Sequence, residues 1–295
     1  MRIFITGGSG LLGQYLNIEL DKNHEILTQY NSNIGNCGNY NSIQMQLTNL
    51  ELLESVFKNF KPEIVIHCAA IPNPEKADLK PTTYVYEVNV LVTQKIAEYC
   101  SKYNAKLIYT STDLVYAGYR GSKLDENSKL IPVSLYAETK LMGEVKIKET
   151  FDNYIIARVA LQIGLGLNHT TNNFHKMYFS LKKGKPVPLY TDQFRSPLAL
   201  HETARIINEL ISYDIKGEIY NVSGSERVSR FELGETLCKV ADLDEKLLQP
   251  TTMDKAGLAY KVADVSLSNK KLRSLGVQIK KLDQSIKEAI KLIEK

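Results

Sequence analysis

The chain is poor in the features that mark several protein classes, and each shortage excludes something. No apolar run in its 295 residues approaches the ~20 needed to cross a bilayer, so no membrane contact is expected. Met1-Arg-Ile-Phe runs at once into a strand-like stretch where a signal peptide would carry its apolar core, which predicts a cytoplasmic protein. Four cysteines, Cys37, Cys68, Cys100 and Cys238, show no paired spacing and are read as reduced thiols. His24, His169, His175 and His201 lack metal-ligand spacing, so no metal site is expected. The net charge is only +4 and the lysines are spread through helices, which argues against a nucleic-acid surface but suits a mildly basic cleft for an anionic nucleotide. Repeats, low-complexity tracts and an obvious linker are missing too.

What is present is concentrated at the start. Arg2 to Thr6 is a short β-branched run, glycines follow at Gly7, Gly10 and Gly13, and Leu11, Leu12, Tyr15 and Leu16 continue at helical spacing. Strand, tight turn and helix are implied. One glycine permits a turn with positive φ, the next lets backbone approach a ligand, and the third lets helix pack on strand. The helix N-terminus then offers unpaired N–H groups to a pyrophosphate.

From Met1 to about Val159 strands and helices alternate. His24 to Gln29, Ser42 to Gln46, Glu63 to Cys68, Lys106 to Thr110 and Tyr154 to Arg158 read as strands, and Leu50 to Phe60, Thr82 to Tyr103 and Leu135 to Glu149 as helices. Such alternation builds a doubly wound parallel sheet. Beyond it come helices from Asn173 to Lys183, Ala199 to Ile211 and Ser229 to Val240, an extended piece Pro186 to Tyr190 and a strand Glu218 to Val222. A last amphipathic helix carries Leu282, Ile286, Ala289, Ile290 and Ile293 on one face. The expected fold is α/β, a Rossmann-type domain over residues 1–160 to which 195–212 return, with a smaller C-terminal substrate lobe from 161–194 and 213–295.

The end of the second strand usually holds an acid for the ribose 2′-hydroxyl of NAD. Here Gln29-Tyr30-Asn31-Ser32-Asn33 carries none, which leans towards NADP or tolerance of both cofactors, although no arginine stands nearby. Farther on, Ser134 is placed to cap a helix on which Tyr136 and Lys140, four apart, share a face. A neighbouring ammonium and an oxidised nicotinamide favour phenolate, so the Tyr136 pKa is expected below its ordinary value near 10. Tyr and Lys at this spacing are common by chance. Upstream, however, Ile108-Tyr-Thr-Ser-Thr112-Asp-Leu-Val-Tyr116 closes a parallel strand, where catalytic groups of open α/β sheets collect, and Thr112 can bind the oxygen that Tyr136 protonates.

Thr6 to Gly13, His67-Cys-Ala-Ala70, Asn89, Ser111-Thr112-Asp113 and Tyr136 to Lys140 together resemble the extended short-chain dehydrogenase/reductases acting on nucleotide sugars. Glu75-Lys76-Ala77-Asp78, Asp192-Gln193-Phe194, Asn221 to Gly234 and Ala263 to Leu267 are similar to the dTDP-4-dehydrorhamnose reductase-like family, so the likeness runs nearly the full chain. The resemblance implies Thr112, Tyr136 and Lys140 as catalytic residues. It implies a cofactor site made of Gly7, Gly10, Leu11, Leu12, Gly13, Tyr30, Asn31, Gln46, Leu47, Cys68, Ala69, Ala70, Asn89, Thr110, Tyr136 and Lys140, with NADPH, or NADH, as the cofactor. Substrate contacts are expected from Lys76, Thr112, Asp113, Asn173 and Arg195. Arg195 has two readings, a phosphate ligand through its planar fork or a salt bridge with Asp192. Arg158 is expected in a structural ion pair, His67 as hydrogen-bonded core, and Tyr84, Tyr86, Tyr99 and Tyr103 on one helix as packing or partner surface, with a homodimer implied by resemblance.

Three functions stay open. The first is reduction of a 4-keto-6-deoxy nucleotide sugar with Tyr136 as proton donor. The second is a redox-neutral epimerase or dehydratase, of which the dehydratase is disfavoured because Thr112 is followed by Asp113-Leu114 instead of Asp-Glu. The third is a non-catalytic regulatory subunit resembling that of methionine adenosyltransferase.

Overall fold

Ile3 and Ile5 face one side of the first strand and Phe4 the other, and each side finds its own apolar cover. The computed structural model describes residues 1–119 and 121–292. Along the chain stand β1 (Arg2–Thr6), α1 (Leu11–Leu20), β2 (Glu25–Tyr30), β3 (Ser42–Gln44), α2 (Leu50–Asn59), β4 (Ile64–His67) and a short α3 (Pro74–Asp78). A long helical stretch follows, made of α4 (Thr82–Tyr86), a π turn (Glu87–Leu91) and α5 (Val92–Lys102). Next are β5 (Lys106–Thr112), α6 (Leu135–Thr150), β6 (Tyr154–Val159), β7 (Gln162–Ile163), α7 (Asn173–Lys182), β8 (Val187–Tyr190), β9 (Phe194–Arg195) and β10 (Leu198–Ala199). The rest are α8 (Leu200–Ser212), β11 (Glu218–Val222), β12 (Val228–Ser229), α9 (Arg230–Ala241), β13 (Leu248–Thr251), α10 (Lys270–Arg273) and α11 (Leu282–Lys291). Ile293 lies outside the described residues.

The central sheet has seven strands in the order β3-β2-β1-β4-β5-β6-β11, every neighbouring pair parallel. On one face Phe4, Val65, Leu107 and Ile156 pack under Phe57 of α2, Ile96 of α5 and Ile147 of α6. On the other Ile3, Ile5, Ile66 and Ile108 pack under Leu16 and Leu20 of α1 and Ala204, Ile207 and Ile211 of α8. Each fully buried Val, Leu, Ile or Phe among them contributes roughly 1.5–3 kcal/mol. With both faces covered, the strands read as unbroken apolar runs, which is why they are legible in sequence.

Two expectations are corrected. Glu218–Val222, assigned to the smaller lobe, is the outer strand of the central sheet, because its register on β6 lets Tyr220 and Val222 join Ile155 and Ala157 in the core. The helix expected to run unbroken from Thr82 to Tyr103 contains the π turn at Glu87–Leu91. The extra residue in that turn belongs to the segment that presents Asn89 to the chain after β4.

The smaller lobe packs Phe174, Met177 and Leu181 of α7 against Leu233 and Leu237 of α9 and Ile286 and Ile290 of α11. A capping box starts α9: the Ser229 hydroxyl accepts from the Glu232 N–H at 3.1 Å and the Glu232 carboxylate from the Ser229 N–H at 2.6 Å. This lobe lies over the carboxyl ends of the strands, beside the point between β1 and β4 where the strand order reverses.

Candidate active site

A cavity of about 860 Å³ opens there, walled by both parts of the chain. The turn after β1 forms its floor, the ends of β2 and β3 one end, the segment after β4 the middle, and Thr110 to Leu114 with Tyr136 and Lys140 the other end. The facing wall comes from α7, β8 and α9.

The floor fits a dinucleotide. Gly7 has φ of +70°, and a Cβ there would stand 2.8 Å from the Ala69 Cα; a Cβ on Gly13 would stand 2.1 Å from the Gly7 carbonyl oxygen. Neither position tolerates a side chain. Gly10 precedes α1 without a side-chain cap, and the first turn of α1 holds no acid, so the N–H groups of Leu11 and Leu12 face the cavity with the positive end of the helix dipole behind them. At the end of β2, Gln29 is buried; its Oε1 accepts from the Gly7 N–H at 2.8 Å and its Nε2 donates to the Met45 carbonyl at 2.7 Å. A carboxylate at this position would face the Met45 carbonyl, so the missing acid has a local physical reason. Asn31, Gln46, Leu47, Cys68, Ala69, Ala70 and Thr110, the residues expected at the cofactor, line the cavity.

Two expected cofactor residues do not. Tyr30 stands off the wall, since its neighbours Gln29 and Asn31 take the cavity-facing positions. Asn89 is buried and its amide is used inside the protein: Oδ1 accepts from the Ile71 N–H at 2.7 Å, and Nδ2 donates to the Thr139 hydroxyl at 3.0 Å. Through Ile71, which lines the cavity, it shapes the wall.

Thr112, Tyr136 and Lys140 all line the cavity. Ser134 caps α6 by accepting from the Ala137 N–H at 3.3 Å, which places Tyr136 in the first turn and Lys140 one turn later. The Thr112 hydroxyl donates to Asp113 Oδ1 and accepts from the Leu114 N–H, both at 3.2 Å. Lys140 Nζ sits 3.9 Å above the ring of Tyr109, and burial pulls its pKa down to about 7. Among the protein groups alone, burial first, and the Asp113 charge second, push the Tyr136 pKa up to about 12 against a hydrogen bond from Thr112, whereas the expected lowering also counts on an oxidised nicotinamide. The Lys140 ammonium rests on Tyr109 and adds no resolved pull on the phenol.

Asp113 is buried at the cavity wall with its pKa raised by desolvation, and its Oδ2 has no hydrogen-bond partner among the described residues. Arg195 approaches that oxygen at 4.0 Å through Nε, while its Nη1 donates to the Phe194 and Val262 carbonyls at 2.7 and 3.2 Å. Both readings of Arg195 therefore change. It is off the cavity wall, and Asp192 instead accepts the Met253 N–H. The guanidinium that does line the cavity is Arg230, which sequence reasoning missed; its one local signal was its place just after the cap Ser229. Asn172, Lys176 and Gln162 line the wall too, together with Lys76 and Asn173, from which substrate contacts are expected.

Two buried groups are structural. His67 is held between the hydroxyls of Thr6 at 2.6 Å and Thr93 at 2.9 Å, and burial lowers its pKa to about 3. Arg158 pairs with Glu144 at 2.7 Å. No metal-ligating cluster and no disulfide occur among the described residues.

Residues 1–294 match the family model described as the RmlD substrate binding domain. The chain is 27% identical to a dTDP-4-dehydrorhamnose reductase of Aggregatibacter actinomycetemcomitans, over 94% of each chain. It is 28% identical to methionine adenosyltransferase 2 subunit beta of Xenopus laevis, over 94% of this chain and 83% of that protein. Among solved structures it is similar to a dTDP-4-dehydrorhamnose reductase of Bacillus anthracis in complex with NADP, with a TM-score of 0.86, 25% identity and 99% of each chain covered.

Proposed function

Because this chain belongs to the RmlD substrate binding domain family, we propose that it is an NADPH-dependent reductase, able to use NADH, of a 4-keto-6-deoxy nucleotide sugar of the dTDP-4-dehydrorhamnose kind. One observation carries the reading: Thr112, Tyr136 and Lys140 line the same cavity as the glycine turn, so a reducing cofactor and a keto-sugar can meet beside a proton donor. The N–H groups of Leu11 and Leu12, with the bare floor of Gly7 and Gly13, would hold the pyrophosphate. Asn31, Gln46 and Leu47 would border the adenosine, and with Gln29 neutral no carboxylate repels a 2′-phosphate.

When bound, a reduced nicotinamide supplies hydride to the keto carbon. The remaining work falls to the chain. Tyr136, with its pKa near 12, stays protonated at neutral pH, the state a proton donor requires. It gives its phenolic proton to the carbonyl oxygen as negative charge develops there, and the Thr112 hydroxyl holds that oxygen in place. Lys140, on the cavity wall one helical turn from Tyr136, is assigned to orient the nicotinamide ribose. Lys76, Asp113 and Asn173 stand where they can meet the sugar nucleotide. The exposed Tyr84, Tyr86 and Leu91 on one helical stretch are the surface we assign to a homodimer, which sedimentation of the pure protein checks.

The test is loss of NADPH absorbance on mixing with dTDP-4-keto-6-deoxy sugars, beside Tyr136→Phe. Turnover is expected to fall roughly a hundred- to ten-thousandfold in that variant. No consumption of NADPH or NADH with any keto-sugar nucleotide would sink the reading. The likeness to a methionine adenosyltransferase subunit supports a second one, in which the chain binds a partner enzyme and reduces nothing. Co-purification with such an enzyme, without keto-sugar turnover, selects it.

A further inference from the structure

The cavity wall opposite the glycine turn needs a cation for an anionic substrate, and Arg195 is not available for it. Its guanidinium is 4% exposed and engaged with two backbone carbonyls and the Asp113 carboxylate. Arg230, the first residue of α9, takes the cavity-facing place. Its Nε is anchored on Gln193 Oε1 at 2.8 Å, and among the described residues its two Nη atoms have no hydrogen-bond partner. The fork that matches two phosphate oxygens is therefore held at its root and open at its tip.

The local charges leave it unbalanced. Arg230 feels Arg195 and Asp113, Arg195 also feels Asp264, and Asp264 is paired with Arg227 at 2.7 Å, so three guanidinium groups stand against two carboxylates. Asp113 already faces Arg195, so its carboxylate does not neutralise both. Burial, and then repulsion by Arg195, bring the Arg230 pKa down to about 9, so an anion at the open edge would relieve an existing penalty. The same wall carries the first turn of α7. Asn172 caps it by accepting from the His175 N–H at 2.7 Å, no acid lies in that turn, and Asn173 and Lys176 both line the cavity. Lys176 makes no ion pair among the described residues.

We propose that Arg230, assisted by Lys176 and the first turn of α7, binds the diphosphate of the nucleotide-sugar substrate, and that Arg195 is a positioning residue that holds Asp113. This rests on the nucleotide-sugar reading above and names the residue that recognises the substrate's charged part.

The experiment is calorimetric titration of the full chain with dTDP, UDP and GDP, and separately with NADPH, for the wild type, R230Q, R230K and R195Q. R230Q is expected to weaken nucleoside diphosphate binding roughly 10- to 100-fold, the loss of a charged hydrogen-bonding pair, and to leave NADPH binding unchanged. R230K, which keeps charge but not the fork, is expected between the two, and is the variant read if R230Q does not fold. R195Q is expected to lower the melting temperature while keeping diphosphate binding. Diphosphate binding that survives R230Q, or a larger loss in R195Q than in R230Q, overturns this assignment alone. A wild type that binds NADPH but none of the three diphosphates overturns the nucleotide-sugar reading with it.

Discussion

Two buried arginine–carboxylate pairs lie near the carboxyl ends of neighbouring strands, and they are finished differently. Arg158 on β6 meets Glu144 through Nη2 at 2.7 Å and Nε at 3.0 Å, Ser111 donates to the same carboxylate at 2.5 Å, and the remaining Nη1 donates to the Tyr116 hydroxyl at 2.8 Å and the Glu126 carbonyl at 3.1 Å. Asp113 and Arg195 approach only to 4.0 Å, that carboxylate oxygen has no hydrogen-bond partner among the described residues, and a second arginine adds its charge from the cavity side. The first pair is complete without any ligand. The second is held more loosely, and its carboxylate stands beside Tyr136 and Thr112 at the cavity wall. A satisfied polar cluster holds the fold, whereas an unsatisfied one at a cavity wall marks the place where free energy is reserved for binding.

The comparison can be broken most sharply at the closed pair. Glu144→Ala leaves the Arg158 charge buried and unpaired, and is expected to cost about 3–5 kcal/mol in urea unfolding, since breaking one side of such a pair carries the full desolvation penalty. If that variant lost less stability than R195Q, the assignment of scaffold and site would be the wrong way round.

Next in size is Lys140, buried near the open cluster with its pKa pulled from 10.5 to about 7. Between those values the unfolded chain binds more protons than the folded one, so the Lys140 contribution to stability rises with pH through that window and its penalty is full below it. At ~1.4 kcal/mol per unit, Lys140→Met is expected to gain up to a few kcal/mol at pH 7 and below, with the advantage fading towards pH 10.5, while reductase turnover is lost. Unfolding of both proteins across that range checks the sign.

Arg195→Gln is expected to cost less than the Glu144 change, about 1–2 kcal/mol, because Asp113 already has a raised pKa and can take up a proton when its partner is removed. Denaturant midpoints at pH 5 and pH 8 should show the loss shrinking at the lower pH, where that proton is more readily bound. The smallest effect concerns chemistry. Asp113→Asn removes the charge that raises the Tyr136 pKa, so the alkaline limb of kcat/KM should move to lower pH by less than about one unit while the fold is retained. An unmoved limb would mean that Asp113 does not act on the phenol.

Much of this was legible before any coordinates. The glycine positions, the β-branched runs and the Tyr136/Lys140 spacing each follow from local rules, because a turn with positive φ, a doubly covered strand and a helix face restrict which residues stand at which intervals. His67 as core was legible because it sits within an apolar strand, and Arg158 as an ion-pair partner through its place in a strand motif of the family it resembles. Asn89 was not, because its work is to hold Ile71 across a π turn that no spacing announces. Arg230 was not, because nothing within α9 tells which of its residues faces a cavity built by α7 and β8.

The sequence by itself determined the strand–turn–helix unit at the N-terminus and the alternation that stacks helices on both faces of the sheet. Tertiary structure alone decided that β11 closes the sheet edge, that Asp113 raises the Tyr136 pKa, and that Arg230 and not Arg195 reaches the cavity. The division has a physical cause. Periodicity and turn chemistry act within a few residues along the chain, whereas desolvation and Coulomb interactions depend on distances between elements that the order of residues does not specify.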